Sequence, residues 1–219
     1  MKTLCLFDLD GTLIDPKAGI TKAVRYSLKS FGIEAADLDE LEKFIGPPLR
    51  DSFREFYNFP EAEAERAITK YREYYSETGI FECSLYAGIT DMLARLKDKG
   101  VTLAIATSKP TVFAGQIAEH FGFKQYFDFI AGSELNGTRD RKGEVIRYAL
   151  EMVDSGREKS TVMIGDRKHD IIGARETGID SIGITWGYGS RAELEEAKPE
   201  RIADSPQELC RIILEEDQL

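Results

Sequence analysis

The sequence predicts an α/β protein: a doubly wound, Rossmann-like parallel sheet interrupted early by a helical insert. Three observations lead there. Short apolar runs alternate with helical patterns over most of the 219 residues. Three of those runs end abruptly in polar, reactive residues, at Asp8, Thr107 and Asp166. One long stretch, residues 16–85, drops the alternation and reads as almost purely helical.

The elements follow in chain order. Thr3–Phe7 is an apolar run that stops at acids, and Cys5 within it reads as a small buried hydrophobe. In the insert, Ile20, Ala23, Val24 and Leu28 recur on one helical face. A Gly46-Pro47-Pro48 break follows, then an apolar set of Phe53, Phe56 and Tyr57. Glu61–Tyr75 reads as a further helix, charged outside and apolar along one stripe. Strands at Val101–Ala106, Phe127–Ala131, Thr161–Ile164 and Ser181–Ile184 then alternate with helices near 88–99, 110–121, 142–153 and 168–177. The expected division is a core of residues 1–15 and 86–219, with 16–85 as a separate helical domain. The acidic tail LEEDQL reads as a solvated C-terminus.

Composition narrows the function classes. Hydrophobic residues make up 42% and charged residues 31%, enough for a sizeable core. A formal net charge of -10 argues against nucleic acid and anionic membrane surfaces as partners. It also means that an anion site must supply its own positive charge locally. Cys5, Cys83 and Cys210 fit no metal spacing and point to a reduced, cytoplasmic setting. The apolar N-terminal stretch is too short for a signal peptide, and no run approaches the roughly 18 apolar residues of a membrane span. With only two histidines, His120 and His169, a histidine triad or zinc site is not expected, and His169 reads as exposed.

Four segments carry chemistry. Asp8-Leu9-Asp10-Gly11-Thr12 ends the first strand, where doubly wound sheets build their sites. Acids one residue apart project to the same side of an extended segment. One can attack an electrophile while the other handles a proton, and both can hold a cation. Gly11 allows a sharp turn, although a solvated Asp-Gly turn would carry the same short string. Thr107-Ser108-Lys109-Pro110 follows a strand, and hydroxyls opening a helix can bind phosphate or merely cap the helix. Pro110 suits a first helical turn. Arg139, Arg141 and Lys142 precede another helix; Lys142 is the candidate for neutralising a transferring phosphoryl group, the arginines reading as surface charges. In Gly165-Asp166-Arg167-Lys168-His169-Asp170 the two aspartates are four apart, on one face of a helix start. Asp8, Asp10 and Asp166 suit Mg²⁺, which takes few carboxylates plus waters and phosphate oxygens.

The order of these segments resembles the haloacid dehalogenase superfamily along the whole chain, with the insert similar to its small helical cap. FIGPPLRDSF (Phe44–Phe53) and ITWGYGSRAEL (Ile184–Leu194) look like the phosphoglycolate phosphatase-like branch. The chain departs from that branch in having Lys142-Gly143-Glu144-Val145 where many members have Lys-Pro-x-Pro, which counts against phosphoglycolate as substrate. The resemblance implies a Mg²⁺-dependent phosphatase acting on a small phosphorylated metabolite: phosphoglycolate, a nucleoside monophosphate or a sugar phosphate. It makes Asp8 the nucleophile that forms an aspartyl-phosphate, and Asp10 the acid and then base. Asp8 and Asp166 would bind the metal through carboxylates and Asp10 through its backbone carbonyl, with Asp170 binding it or orienting its waters. Thr107 and Ser108 would hold phosphoryl oxygens, Lys142 would balance charge, and Gly11 and Thr12 would line the substrate. Gly46 and Arg50, in a cap that closes over the site, are expected to face it.

Three alternatives stand beside this reading: a phosphomutase or a pyrophosphatase of the same superfamily, and a non-catalytic interaction protein on a retained fold. The intact Asp8 weighs against the last. The chain is compatible with a monomer or a homodimer.

Overall fold

A computed structural model describes residues 1–35, 37–153 and 160–215. The chain divides into two compact units, Met1–Ile14 with Leu85–Leu219, and Asp15–Ser84. It leaves the first unit through β2 (Ile14–Asp15) and returns through β3 (Ser84–Leu85), and these two short strands pair with each other.

The larger unit is built on β1 (Leu4–Phe7), whose four apolar residues are all buried. It pairs in parallel with β4 (Thr102–Pro110) on one side and β6 (Thr161–Gly165) on the other. Adding β5 (Phe129–Ser133), β7 (Asp180–Ile184) and β8 (Arg201–Ala203) gives a six-stranded sheet in the order β5-β4-β1-β6-β7-β8. Every pairing in it is parallel. Strands buried on both faces need continuous apolar runs rather than alternation, which is what β1 and β6 supply. The chain fills one side of β1 before it turns to the other, and at such a switch point the strand ends leave a crevice.

The helices of this unit are α4 (Ile89–Asp98), α5 (Thr111–His120), α6 (Lys142–Met152), α7 (Lys168–Thr177), α8 (Arg191–Ala197) and α9 (Pro206–Leu214). Leu4, Leu6, Ala104, Met163, Val145, Ile146 and Ala174 share one hydrophobic cluster between the sheet and the helices α6 and α7. The predicted fold class therefore holds. Two expectations change in detail. β4 runs on to Pro110 through a register irregularity, so its helix begins at Thr111 and Thr107 and Ser108 lie on strand rather than opening a helix. The chain after Ile184 adds α8, β8 and α9, capped by Ser190 and Ser205, whose side chains accept from Glu193 N–H and Glu208 N–H. Among the described residues no helix is long and apolar enough to cross a membrane. Of the acidic tail, residues 216–219 lie outside the described residues.

The smaller unit contains α1 (Lys17–Lys29), α2 (Leu49–Tyr57) and α3 (Glu61–Tyr75), with 3-10 turns at Asp39–Phe44 and Gly79–Phe81. Ile20, Ala23, Val24 and Leu28 are buried along α1, as their spacing requires. Phe44 meets Phe53 edge-on at 5.0 Å, and Phe53 stacks on Phe59 at 5.9 Å, forming the aromatic part of this unit's core.

Candidate active site

The site is assembled at the carboxyl ends of β1, β4 and β6. Asp8 follows β1 directly, and its N–H donates to Ile164 O at 2.9 Å, so the sheet ladder itself fixes its position. Its Oδ1 accepts from Leu9 N–H at 2.7 Å. The chain then folds back on itself, with Leu13 and Ile14 both donating to Leu9 O and Gly11 donating to Ile14 O. Gly11 has φ +79, and a Cβ there would overlap the Asp166 carboxylate. Only glycine meets both demands.

Asp8, Asp166 and Asp170 are all buried, and one ligand atom from each lies within 4.8 Å of the others. Lys142, the first residue of α6, reaches into this cluster. Its Nζ lies 2.8 Å from Asp8 Oδ1, 2.9 Å from Asp170 Oδ1 and donates to Ala106 O at 3.1 Å. Burial acts to lower the Lys142 pKa, but Asp170 and Asp8 outweigh it and push it well above the usual lysine range. The ammonium is therefore permanent.

The carboxylates are also shifted upward, which for them disfavours the charged form. Burial, then repulsion from Asp170 and Asp8, pushes Asp166 up to about 7. Burial also pushes Asp170 up to about 6, against the pull of Lys142. Buried, mutually repelling carboxylates of this kind fit a hard, oxygen-seeking divalent cation. Asp10 stands apart from the cluster through its side chain: its Oδ1 accepts from Lys109 Nζ at 2.6 Å. Burial raises the Asp10 pKa, opposed by Lys109.

A loop that sequence reasoning recognised only as a family string builds the wall behind Asp166. Tyr188 N–H donates to Asp166 Oδ2 at 2.8 Å, and Trp186 Nε1 donates to Thr12 O at 3.0 Å. A Cβ on Gly187 would overlap the Asp166 side chain and one on Gly189 the Asp166 backbone carbonyl, so the Gly-Tyr-Gly spacing is what lets the loop close on this residue. Arg167 and the Lys168 N–H both bind Glu193 of α8, which ties the start of α7 to this wall.

The remaining candidates fall as follows. Thr12 Oγ1 donates to Asp166 Oδ1 at 3.3 Å. Thr107 is buried, and its Oγ1 accepts from Lys109 N–H at 3.3 Å. Ser108 O accepts from Ser133 Oγ at 2.8 Å. In the helical unit, Gly46 has φ +104, and Arg50 pairs with Glu61 and Glu65 of α3. Arg139 is not the solvated charge expected: it pairs with Glu134 and lies over the Tyr148 ring at 4.1 Å. His169 is half-buried rather than exposed, and burial, then Arg167 and Lys168, lowers its pKa. Sequence reasoning missed Lys109. Only the extension of β4 to Pro110 carries it inward, where it is buried and paired with Asp10.

Known proteins resemble this chain along most of its length. A family model described as haloacid dehalogenase-like hydrolase matches residues 5–184. The chain is 48% identical over 194 residues to a 5'-nucleotidase of Pseudomonas aeruginosa, covering 89% of this chain and 87% of that one. It is 41% identical over 186 residues to the tyrosine-protein kinase PtkA of Mycobacterium tuberculosis, covering 85% of this chain but 63% of that longer protein. Among solved structures it is similar to one described as a predicted phosphatase from Clostridium acetobutylicum, with a TM-score of 0.96, 50% identity, and coverage of 98% of this chain and 99% of that one.

The raised carboxylates set a pH dependence. Their folded pKa values of about 7 and about 6 lie above the unfolded value near ~3.9. The folded state thus binds these protons more tightly, and the stability they contribute is lost as pH rises through about 6 to 7. Without divalent ions, the melting temperature should fall between about pH 5.5 and pH 8, and Mg²⁺ at the higher pH should restore it. A melting temperature that climbs over that interval in EDTA would contradict the assignment.

Proposed function

We infer that this chain, which belongs to the haloacid dehalogenase-like hydrolase family, is a phosphatase that moves the phosphoryl group of a small phosphomonoester onto Asp8 and then to water. One observation carries the reading. Asp8 sits at the end of the central strand with a permanent ammonium 2.8 Å away, in a cluster of acids able to hold a divalent cation.

The chain's own groups supply the steps. Asp8 Oδ1 is held by the Leu9 N–H and Lys142, which leaves the second oxygen to attack phosphorus. Lys142 offsets the repulsion between this carboxylate and the incoming phosphate. Asp10 gives a proton to the leaving oxygen and afterwards takes one from the water that opens the aspartyl-phosphate. Thr107 and the Ser108 N–H bind the phosphoryl oxygens, while Gly11 and Thr12 shape the floor beneath them. Asp8, Asp166 and Asp170, with the Asp10 carbonyl, would hold Mg²⁺, which supplies charge neutralisation at the phosphoryl oxygens.

Nucleoside 5'-monophosphates are the substrates we favour, because the 48% identical relative is named a 5'-nucleotidase. The relative named as a kinase also concerns phosphoryl groups, so phosphate released to water must be distinguished from phosphate passed to an acceptor. Discrimination among leaving groups is assigned to the helical unit, through Gly46 and Arg50.

Three outcomes are expected. Asp8→Asn should fold normally and lose at least ~10³-fold in kcat; a variant retaining a tenth of wild-type turnover would overturn the nucleophile. EDTA should stop phosphate release and Mg²⁺ should restore it, whereas full activity after exhaustive chelation would sink the metal role. Arg50→Ala should raise KM for the preferred ester several-fold, and an unchanged KM across a panel of esters removes Arg50 from substrate binding.

A further inference from the structure

Each aspartate of the Asp8-Leu9-Asp10 pair has its own lysine. Lys142 serves Asp8, at 2.8 Å, and Lys109 serves Asp10, with Nζ 2.6 Å from Oδ1. The Lys109 and Asp10 side chains are 6% and 11% exposed. Burying two charges costs about as much as their attraction returns, so an apolar pair would serve folding equally well. Lys109 leaves β4 at its irregular end, immediately past Thr107 and Ser108, so its ammonium arrives beside Asp10 from the strand that carries the phosphate-binding candidates. The lysine holds Asp10 through Oδ1.

We propose that Lys109 is a positioning residue: by fixing Asp10 Oδ1 it presents Oδ2 as the atom that transfers the proton in both halves of the reaction. This rests on the phosphatase reading and adds a residue to it. In the first half, the bond from Asp8 to phosphorus forms as the bond from phosphorus to the leaving oxygen breaks, and the proton on Oδ2 passes to that oxygen. In the second half, Oδ2 takes a proton from water as the water oxygen bonds to phosphorus and the bond to Asp8 breaks. Oδ2 is thereby reprotonated for the next cycle, and inorganic phosphate leaves.

The test is the leaving-group dependence of the first half-reaction. Single-turnover release is measured for 4-nitrophenyl phosphate, whose leaving group departs unprotonated, and for a nucleoside 5'-monophosphate, whose alkoxide must be protonated. Wild type, Lys109→Met, Lys109→Arg and Asp10→Asn are compared. Lys109→Met should lose on the order of 10²-fold with the nucleotide and less than about tenfold with the aryl ester. KM should stay within about twofold, and the asymmetry should match that of Asp10→Asn. Lys109→Arg keeps the charge but replaces a point donor by a fork, so it should show the same asymmetry at smaller size. Equal losses on both esters, in Lys109→Met or in Lys109→Arg if the former does not fold, would show a structural role and overturn the proposal. A wild-type enzyme that hydrolyses neither ester would defeat the phosphatase reading and this proposal together; a wild type active on both, with no asymmetry in the variants, defeats this proposal alone.

Discussion

The Lys142 ammonium lies 2.8 Å from Asp8 Oδ1 and 2.9 Å from Asp170 Oδ1 and donates to the Ala106 carbonyl. Those three oxygens belong to the segment after β1, to the first turn of α7 and to β4. One ammonium therefore pins three separate parts of the sheet's carboxyl edge at one point. Remove it, and two buried carboxylates face each other and Asp166 without compensation, a situation that typically costs ~3–5 kcal/mol. Even with it, three carboxylates against one ammonium leave two negative charges in a buried cluster. A divalent cation would balance that number, while burial and mutual repulsion raise Asp166 and Asp170.

The same logic explains how a protein with a net charge of -10 can receive an anion. Attraction cannot come from the surface at large, so it is concentrated at strand ends, where the sheet brings backbone and side chains to fixed positions. Lys109 and Lys142 reach the Asp8–Asp10 turn from different elements, one from β4 and one from α6. Gly11 and Gly187 allow backbone to pack against the Asp166 side chain, which leaves that carboxylate little freedom to rotate away. Tyr188 N–H and Thr12 Oγ1 complete its restraint.

What the sequence made legible follows from range. The buried strand β1, the turn at Gly11 and the helix start at Asp166 are local patterns, and each could be read from a few adjacent residues. The alternation of runs was enough for the parallel sheet because parallel strands buried on both faces are apolar throughout. Lys109 was not legible in this way: a lysine after two hydroxyl residues and before proline looks like a solvated helix start. Only the irregular extension of β4 turns it inward toward a residue 99 positions away. The role of Trp186 to Gly189 was equally hidden, because it depends on contacts with Thr12 and Asp166 far back in the chain. β8 is three residues long with an exposed arginine at its start, too short and polar to stand out. Arg139 and His169 were misjudged because charge suggests solvent, whereas a stem or ring can pack while its polar atoms find local partners or stay neutral.

The central claim is that phosphate passes through a covalent bond to Asp8. The most direct measurement uses Asp10→Asn, which should slow the water step and let the intermediate accumulate. The variant is mixed with 4-nitrophenyl phosphate, whose leaving group needs no proton from residue 10, quenched in acid within milliseconds and digested, and the peptides are read by mass spectrometry. A phosphoryl group on Asp8, approaching one per chain and absent when Asp8 is also replaced, is the result this account predicts. Phosphate released by the variant with no phosphorylated Asp8 at any quench time would contradict it.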